Sequence, residues 1–317
     1  MAAGRRVLVT GGAGFIGSHV CEAYLEAGWQ VTAIDDLSSG RRENLPGDVR
    51  FLELDIRSPE LAGLFEDGRF DVVNHHAAQI DVRISVRDPR FDASVNVDGL
   101  LNLLESARRS GVERFVYISS GGVVYGEADE LPVHEVAPKR PLSPYGVSKL
   151  AGEHYLYFYR KVHGLPGVAL RYSNVYGPRQ DPHGEAGVVA IFSNRLLERA
   201  PLTIYGDGEQ TRDYIYVTDV AKANLVASEI DLPDPRAIDD VAFNVGTGME
   251  TSVNELASLM MRVSGREVEV ERAPPRPGEL ERNALDVSRL RAAGWAPGQS
   301  LEEGLSLTYV DLAGSLR

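Results

Sequence analysis

The chain has 317 residues, of which 43% are hydrophobic and 25% charged, values typical of a folded globular protein with one or two domains and a large core. Its formal net charge of −13 argues against nucleic acid or an anionic membrane surface as a partner. The single cysteine, Cys21, excludes an intramolecular disulfide, and the sequence shows neither a signal peptide nor an apolar run of membrane-spanning length. We therefore expect a cytoplasmic protein.

The first predicted element is a buried strand at 7–10, which is followed by a glycine-rich turn and a helix at 15–27. Gly11 permits the tight turn, Gly14 lets the backbone approach a pyrophosphate, and Gly17 lets the helix pack closely on the strand. The amino end of the helix supplies free N–H groups and the positive end of a dipole. This arrangement predicts a dinucleotide site.

A second predicted strand, at 31–34, ends in Asp35. A carboxylate about 20 residues beyond such a turn binds the ribose hydroxyls of the adenosine. Asp35 favours NAD over NADP, because a 2′-phosphate would lie against the carboxylate, although Arg41 and Arg42 are close enough to keep NADP open. The alternative is that Asp35 only caps the next turn.

Further apolar runs of strand length alternate with helix-like segments, at 50–54, 71–74, 114–118 and 168–171. This alternation predicts the α/β class, with a doubly wound parallel sheet or Rossmann fold. The strand at 71–74 leads into His75, His76, Ala77 and Ala78, where the alanines would let the backbone come close to the cofactor. The two adjacent histidines lack the spacing of metal ligands, and we expect no metal.

A tyrosine and a lysine then follow at helical spacing. Pro144 places Tyr145 in the first turn of a predicted helix, and Lys149 lies one turn later on the same face. A tyrosine ionises near pH 10, so it becomes a base at neutral pH only if a neighbouring ammonium stabilises the phenolate. The alternative is a surface pair on an amphipathic helix. Together with the dinucleotide turn, the pair indicates proton transfer at a carbinol carbon beside a nicotinamide.

Three motifs together carry a family resemblance: Thr-Gly-Gly-Ala-Gly-Phe-Ile-Gly at 10–17, Tyr-Gly-Val-Ser-Lys at 145–149, and Arg-Tyr-Ser-Asn-Val-Tyr-Gly-Pro-Arg at 171–179. From about residue 5 to about 310, the chain resembles the extended short-chain dehydrogenase/reductases, and among them the UDP-glucose 4-epimerase family. The resemblance implies NAD-dependent 4-epimerisation of UDP-hexoses through a transient 4-keto sugar. It also implies a homodimer built on helices near 93–109 and 145–163.

The resemblance carries specific roles onto residues of this chain. Catalysis is assigned to Tyr145, Lys149 and Ser120. The residues implied to bind NAD are Gly11, Gly14, Phe15, Ile16, Gly17, Asp35, Asp36, Ser39, Gly40, Asp55, Ile56, Ala77, Ala78, Asn96, Ser119, Tyr145, Lys149 and Tyr172. The residues implied to bind the UDP-sugar are Ser120, Asn174, Val189, Tyr205, Arg212, Arg276 and Asn283.

An acidic chain that binds a diphosphate needs local positive charge. Arg212 and Arg276 match the arginines that hold UDP in the resembled epimerases, and a guanidinium presents the planar fork of donors that suits phosphate. The alternative for each arginine is a surface ion pair, with Asp213 and Glu279 respectively.

Two positions bear on the choice of sugar. Glucuronate epimerases of the resembled family carry an arginine where this chain has Asp181, which would repel a sugar carboxylate. Epimerases restricted to plain hexoses carry a bulky tyrosine where this chain has Asn283. The smaller side chain leaves room for an N-acetyl group, so UDP-GlcNAc and UDP-GalNAc are further expected substrates.

One position departs from the resembled pattern. The serine or threonine that hydrogen-bonds the reacting hydroxyl falls, by register from Tyr125, on Gly121. Ser120, a water molecule or Tyr145 itself could take over that role.

We expect two units, an NAD-binding Rossmann domain at 1–175 and a smaller α/β nucleotide-sugar-binding lobe at 176–317, with about 241–250 returning to the first. Two other enzymes of the same family stay open: a 4,6-dehydratase, which would need an acid–base pair where Gly122 and Val123 stand, and a reductase, which would need exchangeable NADPH. A non-catalytic dinucleotide-sensing protein is the remaining alternative.

Overall fold

The computed structural model describes residues 4–182, 187–276 and 280–315. The strands are β1 (Arg6–Thr10), β2 (Gln30–Asp35), β3 (Arg50–Glu53), β4 (Val72–His75), β5 (Arg114–Ser120), β6 (Gly167–Tyr172), β7 (Asn174–Tyr176), β8 (Leu202–Tyr205), β9 (Thr211–Arg212), β10 (Tyr214–Tyr216), β11 (Ala242–Val245), β12 (Thr251–Ser252) and β13 (Val270–Ala273). The α-helices are α1 (Phe15–Glu26), α2 (Leu61–Gly68), α3 (Val82–Arg87), α4 (Pro89–Ala93), α5 (Gly99–Ser110), α6 (Pro144–His163), α7 (Val188–Leu197), α8 (Val217–Glu229), α9 (Val253–Ser264), α10 (Ser288–Ala292) and α11 (Leu301–Ser315). A π-helical segment, Ser94–Asp98, leads into α5.

The central sheet has seven strands in the order β3-β2-β1-β4-β5-β6-β11, and every neighbouring pair is parallel. The predicted Rossmann fold is confirmed, since each apolar run became a strand of this sheet. The strand order reverses between β1 and β4. In open parallel sheets ligands bind in the crevice at the carboxyl ends of the strands, at such a switch point.

Helices cover both faces of the sheet, because successive side chains on a strand point to opposite faces. On β1, Val7 and Val9 pack into the core shared with α1 and α8, whereas Leu8 packs into the core shared with α2, α5 and α6. Both cores consist of fully buried aliphatic and aromatic side chains, which accounts for the uninterrupted apolar character of the strands.

A third core lies outside the sheet and belongs to a smaller lobe. Its buried residues come from β7, α7, β8, β10, α9 and α11, and include Val189, Phe192, Leu202, Leu256 and Leu305. Not all of the second half of the chain lies there, since α8 packs against α1 and β11 pairs with β6.

A buried ion pair ties helix α6 to the sheet. The side chains of Arg171 on β6 and Glu153 on α6 are 0% and 1% exposed, and their charged groups are bonded to each other. Arg171 also donates to Asp239 Oδ1 at 2.8 Å and to the Tyr125 hydroxyl at 2.9 Å. Ser119 Oγ, on β5, donates to Glu153 Oε1 at 2.5 Å. The ion pair of Arg171 and Glu153 thus joins β5, β6 and α6.

Arg171→Met keeps the length and bulk of the side chain but leaves Glu153 without its cation, whereas Asp239 keeps its ion pair with Lys139. We expect the free energy of unfolding to fall by about 3–5 kcal/mol, because the Glu153 carboxylate stays buried and uncompensated. The control is Lys161→Met, which removes an exposed ion pair with Asp234 and should cost about 0.2–1 kcal/mol. Urea titration measures the free energy of unfolding of both variants, and equal losses of that free energy would contradict the role given to Arg171.

Candidate functional site

The turn between β1 and α1 is packed so closely that its glycines cannot carry side chains. Gly11 has a φ of +65°, and a Cβ added there would lie 2.6 Å from the backbone nitrogen of Ala77. A Cβ on Gly17 would lie 2.1 Å from the carbonyl oxygen of Gly11. These contacts hold the first turn of α1 against the ends of β1 and β4, as the sequence predicts.

Gly14 differs because the space beside it is open. A Cβ added there meets only the Gly11 carbonyl oxygen, at 3.2 Å, among the atoms within 4 Å. Gly14 is also the N-cap of α1 and makes no side-chain cap bond, so the amides of Phe15 and Ile16 begin the helix without a side-chain acceptor. A free helix amino terminus beside open space suits a pyrophosphate, and the residues present therefore fit a dinucleotide.

Asp35 is held rigidly at the end of β2. Its Oδ2 accepts from the Ala13 amide at 3.0 Å and its Oδ1 accepts from the Leu37 amide at 2.9 Å. Burial raises the pKa of this carboxyl, although the two amide bonds oppose the rise. Asp35 thus does cap the next turn, and its contact with the adenosine ribose stays a prediction. A Cβ on Gly40 would lie 2.7 Å from Asp35 Oδ1, so Gly40 keeps the carboxylate uncovered.

The two arginines that left NADP open are engaged elsewhere. The Arg41 guanidinium lies 3.6 Å from a carboxylate oxygen of Asp181, and that of Arg42 lies 5.1 Å from the centroid of the Phe51 ring. These contacts favour the prediction that Asp35, and not one of these guanidinium groups, meets the ribose at the position that distinguishes NAD from NADP.

Four more of the residues predicted to bind NAD follow β2 and β3. Asp36 is exposed and accepts from the Ser38 amide and hydroxyl, and Ser39 beside it is exposed. Asp55 is paired with Arg57, whose hydrogen bonds lower the pKa of the carboxyl. Ile56 is buried at 4% exposure. Their contacts with adenosine stay predictions.

Three further side chains predicted to bind NAD are largely bonded within the protein. Asn96 accepts from the Gln79 amide at 2.9 Å and donates to the Gln79 carbonyl at 2.9 Å. The Tyr172 hydroxyl accepts from Asn224 at 2.5 Å, and Ser119 donates to Glu153. These residues shape the wall of the site, together with the half-buried backbone of Ala77 and Ala78.

Tyr145 and Lys149 lie on one face of α6. The helix begins at Pro144, with Ser143 as N-cap accepting from the Gly146 amide, so the predicted place of Tyr145 in the first turn is confirmed. Lys149 Nζ lies 5.7 Å from the centroid of the Tyr145 ring and donates to the Ile118 carbonyl at 3.0 Å. Burial lowers the pKa of Lys149 to about 8, and the charge of Asp92 opposes that fall.

Ser120 ends β5, where the chain turns towards the catalytic helix. Its carbonyl accepts from the Val123 and Val124 amides, which closes a turn over Gly121. A Cβ on Gly146, next to Tyr145, would lie 2.9 Å from the Val123 carbonyl oxygen, so this turn and the start of α6 are in close contact.

Gly121 has no room for the side chain that the resembled pattern places there. A Cβ added to Gly121 would lie 2.5 Å from Leu285 Cδ1. Two residues before Leu285, Asn283 is 2% exposed and lies 3.4 Å from the Gly121 carbonyl through its amide nitrogen. Its Oδ1 is buried and has no hydrogen-bond partner within 4–182, 187–276 and 280–315. Sequence reasoning missed Leu285, which no motif marks.

The arginines predicted for UDP lie in the smaller lobe. Arg212, on β9, donates to the Thr211 carbonyl. The alternative of an ion pair with Asp213 is wrong, because that carboxylate is buried and accepts from Thr247, Gly248 and Leu285. Burial raises the pKa of Asp213.

Arg276 and Tyr205 are brought together, with the guanidinium 3.9 Å from the ring centroid. Glu279, the other proposed ion-pair partner, lies outside the described residues. Asn174 is exposed at the start of β7. Val189 packs in the core of the smaller lobe, so only its backbone, in the first turn of α7, can face a ligand.

Across the described part of the chain, no group of three or more His, Cys, Asp and Glu side chains could hold a metal ion. Within the same ranges, no helix is long and apolar enough to cross a membrane.

A parallel sheet with a glycine turn at its switch point, an acid after the second strand, and a tyrosine–lysine pair on the facing helix define a dinucleotide-dependent enzyme of the Rossmann class. Residues 7–246 match the model of the NAD dependent epimerase/dehydratase family. The chain belongs to that family.

Several solved structures similar to this chain are structures of epimerases. A UDP-glucose 4-epimerase from Thermotoga maritima, determined with UDP-glucose, is 45% identical with a TM-score of 0.94, covering 98% of this chain and 100% of that one. A UDP-glucose 4-epimerase from Thermus thermophilus, in complex with NAD, is 47% identical with a TM-score of 0.91, covering 98% and 99%. A UDP-N-acetylglucosamine 4-epimerase from Methanobrevibacter ruminantium, in complex with UDP-N-acetylmuramic acid, is 34% identical with a TM-score of 0.92, covering 99% of both.

Gly17→Ala should abolish the retention of NAD, because its Cβ would lie 2.1 Å from the Gly11 carbonyl oxygen and must displace the turn. The matched control is Gly63→Ala in α2, where an added Cβ meets nothing within 4 Å and should stabilise the helix by up to about 1 kcal/mol. NAD released on denaturing each purified protein is measured by chromatography. Equal NAD content in the two variants would contradict this account of the turn.

Proposed function

We propose that this chain is an NAD-dependent 4-epimerase of UDP-hexoses, acting on UDP-glucose and UDP-galactose through a transient 4-keto sugar. The observation that carries the proposal is the buried Lys149 ammonium beside the Tyr145 ring, at the carboxyl ends of the strands and next to a glycine turn that fits a dinucleotide. The similar structures with NAD and with UDP-glucose support the same interpretation.

Tyr145 is the proposed general base and acid. As a phenolate it takes the proton of the sugar 4-hydroxyl, and it returns a proton when the opposite configuration forms. Lys149, fixed by the Ile118 carbonyl, stabilises the phenolate by its charge. Bound NAD would supply the reversible hydride acceptor at C4, and Gly11, Gly14, Gly17 and Asp35 would hold it.

Epimerisation requires the 4-keto sugar to rotate and present its opposite face while the nucleotide stays bound. We propose that the lobe residues grip UDP, with Arg212 at the diphosphate and the stacked Arg276 and Tyr205 at the nucleotide end. Asn174, exposed at the start of β7, is a further proposed contact of the diphosphate. A loose hold on the sugar would let the 4-keto intermediate present either face.

We propose that Ser120 supplies the hydroxyl that steadies the reacting sugar. The neighbouring position cannot do so, since Gly121 carries no side chain and Leu285 fills the adjacent space. Ser120 stands one residue earlier, at the carboxyl end of β5, where ligands of parallel sheets bind.

We propose that N-acetylhexosamines are also accepted. Asn283 is smaller than tyrosine, and its Oδ1 is buried without a partner among the described residues, so a donor on the sugar would satisfy it. UDP-glucuronate remains disfavoured, because Asp181 brings negative charge to the segment where the glucuronate enzymes are expected to place an arginine.

Purified protein should convert UDP-galactose and UDP-GalNAc to their 4-epimers without added NAD, as resolved by chromatography of the sugars. Tyr145→Phe should lower kcat by at least about a hundredfold, since it removes the base. Conversion of neither sugar, even with NAD supplied, would contradict the proposal and favour another nucleotide-sugar enzyme of the family.

Two variants of Asn283 separate space from hydrogen bonding in the same assay. Asn283→Tyr should lower turnover of UDP-GalNAc at least tenfold more than that of UDP-galactose, which is a difference of about 1.4 kcal/mol. Asn283→Leu, similar in volume, removes only the amide. If Asn283→Tyr lowers the turnover of both sugars equally, the pocket at this position does not discriminate between them.

We further propose a division near residue 175 in which α8 and β11, although later in the chain, return to the Rossmann domain. The cytoplasmic location stays a prediction of the sequence.

We propose that the protein is a homodimer that pairs through helix α6. The helix spans 20 residues, and its outward side chains form an apolar stripe in which Val147, Tyr155, Phe158 and Val162 are 37–62% exposed. The members recur at the spacing of one helix face, as in helices that pack against a second copy.

Phe158→Glu should convert a dimer into a monomer of 34.6 kDa, because it places a charge in the centre of the stripe. The control is Val310→Glu on α11, which is 64% exposed but lies off the stripe, and should leave the mass unchanged. Light scattering after size exclusion measures the mass. A wild-type monomer, or a dimer that survives Phe158→Glu, would contradict pairing through α6.

A further inference from the structure

Asp92, on the short helix α4, is a carboxylate with no solvent exposure. Its Oδ2 accepts from Ser148 Oγ at 2.5 Å, while its Oδ1 accepts from Gln79 Nε2 at 2.9 Å and from Asn96 Nδ2 at 3.1 Å. All three donors are neutral, and within the described ranges no cation lies within ion-pair distance. Burying such a charge is expensive, so its retention calls for an explanation.

One oxygen of Asp92 holds the loop beside the dinucleotide turn. Gln79 follows Ala77 and Ala78, and the Ala77 backbone packs directly on Gly11. Asn96 binds the Gln79 backbone on both sides, through its amide and its carbonyl. Because Asp92 Oδ1 bonds both Gln79 and Asn96, it fixes this loop and the π-helical segment relative to each other.

The other oxygen holds the catalytic helix. Ser148 lies on α6 between Tyr145 and Lys149, and its hydroxyl donates to Asp92 Oδ2. A displacement of α6 relative to the loop would therefore break this bond and move both members of the pair.

Asp92 also supplies negative charge to the surroundings of Lys149. The other titratable groups around the ammonium are Tyr145 on α6, Tyr117 on β5, His75 at the end of β4 and His76 just after it. Burial and the charge of Lys149 lower the pKa of His75 well below its ordinary value and that of His76 to about 3, so both are neutral. Glu153, one turn further along α6, is bonded to Arg171.

We propose that Asp92 is a positioning residue for the Tyr145–Lys149 pair, holding the cofactor-side loop with one carboxylate oxygen and the catalytic helix with the other. This inference rests on the function proposed above. Asp92 thus helps to set both the position and the protonation of Lys149, although Asp92 touches no reacting atom.

The negative charge of Asp92 should shift the pH dependence of kcat in one direction. Lys149 stabilises the Tyr145 phenolate only while it is protonated, and it loses its proton as the pH rises through its pKa of about 8. Asp92 raises that pKa against the effect of burial. Asp92→Asn should therefore move the alkaline limb of the kcat profile to lower pH.

The experiment follows Lys149 directly by carbon-13 NMR of lysine labelled at Cε. The chain contains only four lysines, Lys139, Lys149, Lys161 and Lys222, and the Lys149 signal is the one that Lys149→Met removes. In Asp92→Asn, prepared as purified with its retained cofactor, we expect the titration midpoint of Lys149 to fall. We also expect kcat for UDP-galactose at pH 7.5 to fall about tenfold, with KM within about twofold.

Two variants serve as controls. Asp219→Asn removes another buried carboxylate, 3.3 Å from Lys222 Nζ, and should move the Lys222 signal while leaving that of Lys149 in place. Ser148→Ala removes the bond to α6 but keeps the charge of Asp92, so it should lower kcat without moving the Lys149 midpoint.

An unchanged Lys149 midpoint together with an unchanged pH profile in Asp92→Asn would overturn the proposal. If Asp92→Asn does not fold, a wild-type kcat in Ser148→Ala would overturn it instead. The NMR titration needs no turnover. If Asp92→Asn lowers the titration midpoint of Lys149 but the wild-type protein converts no UDP-sugar, the role of Asp92 is supported and only the proposed function is rejected.

Discussion

Burying the ammonium of Lys149 at the carboxyl edge of the sheet is the constraint on which the site depends. A cation at 4% exposure loses most of its hydration, and the Ile118 carbonyl returns only one hydrogen bond. The position is kept because the helix that carries it is tied to the sheet. Glu153 fastens that helix to Arg171 on β6 and to Ser119 on β5, one turn beyond Lys149. The same rigidity keeps the Tyr145 ring near the ammonium.

The other half of the site is made by close backbone approach, where charge plays no part. Gly11 and Gly17 bring α1, β1 and the loop after β4 within contact distances that exclude a Cβ, and Gly14 leaves the space in front of the helix open. Tight packing behind and open space in front are complementary, since the first fixes the helix amino terminus and the second admits phosphate. A firm dinucleotide site beside a fixed tyrosine–lysine pair is the arrangement that a reaction without net redox requires.

Much of this was predictable from the sequence because the signals are local. Apolar runs give the strands of a buried parallel sheet, glycine spacing gives the turn, and Pro144 gives the start of α6. The sequence failed where partners are distant in the chain. Asp213 adjoins Arg212, yet neighbouring residues of an extended segment point in opposite directions, and the carboxylate bonds Thr247 and Leu285. No spacing rule links Asp92 to Ser148.

Gly121, where the resembled pattern has a serine or threonine, packs against the segment around Leu285. Leu285 bridges to Val133, and its side chain takes the volume that a residue-121 side chain would need. The same short segment places Asn283 against the Gly121 carbonyl, with Oδ1 buried and unpaired in the described chain. An unpaired buried carbonyl costs about 1–3 kcal/mol, and a sugar hydroxyl or N-acetyl N–H donating to it would remove that cost. One short segment thus contributes both the side chain that fills the space beside Gly121 and the amide oxygen that we propose as an acceptor for the sugar.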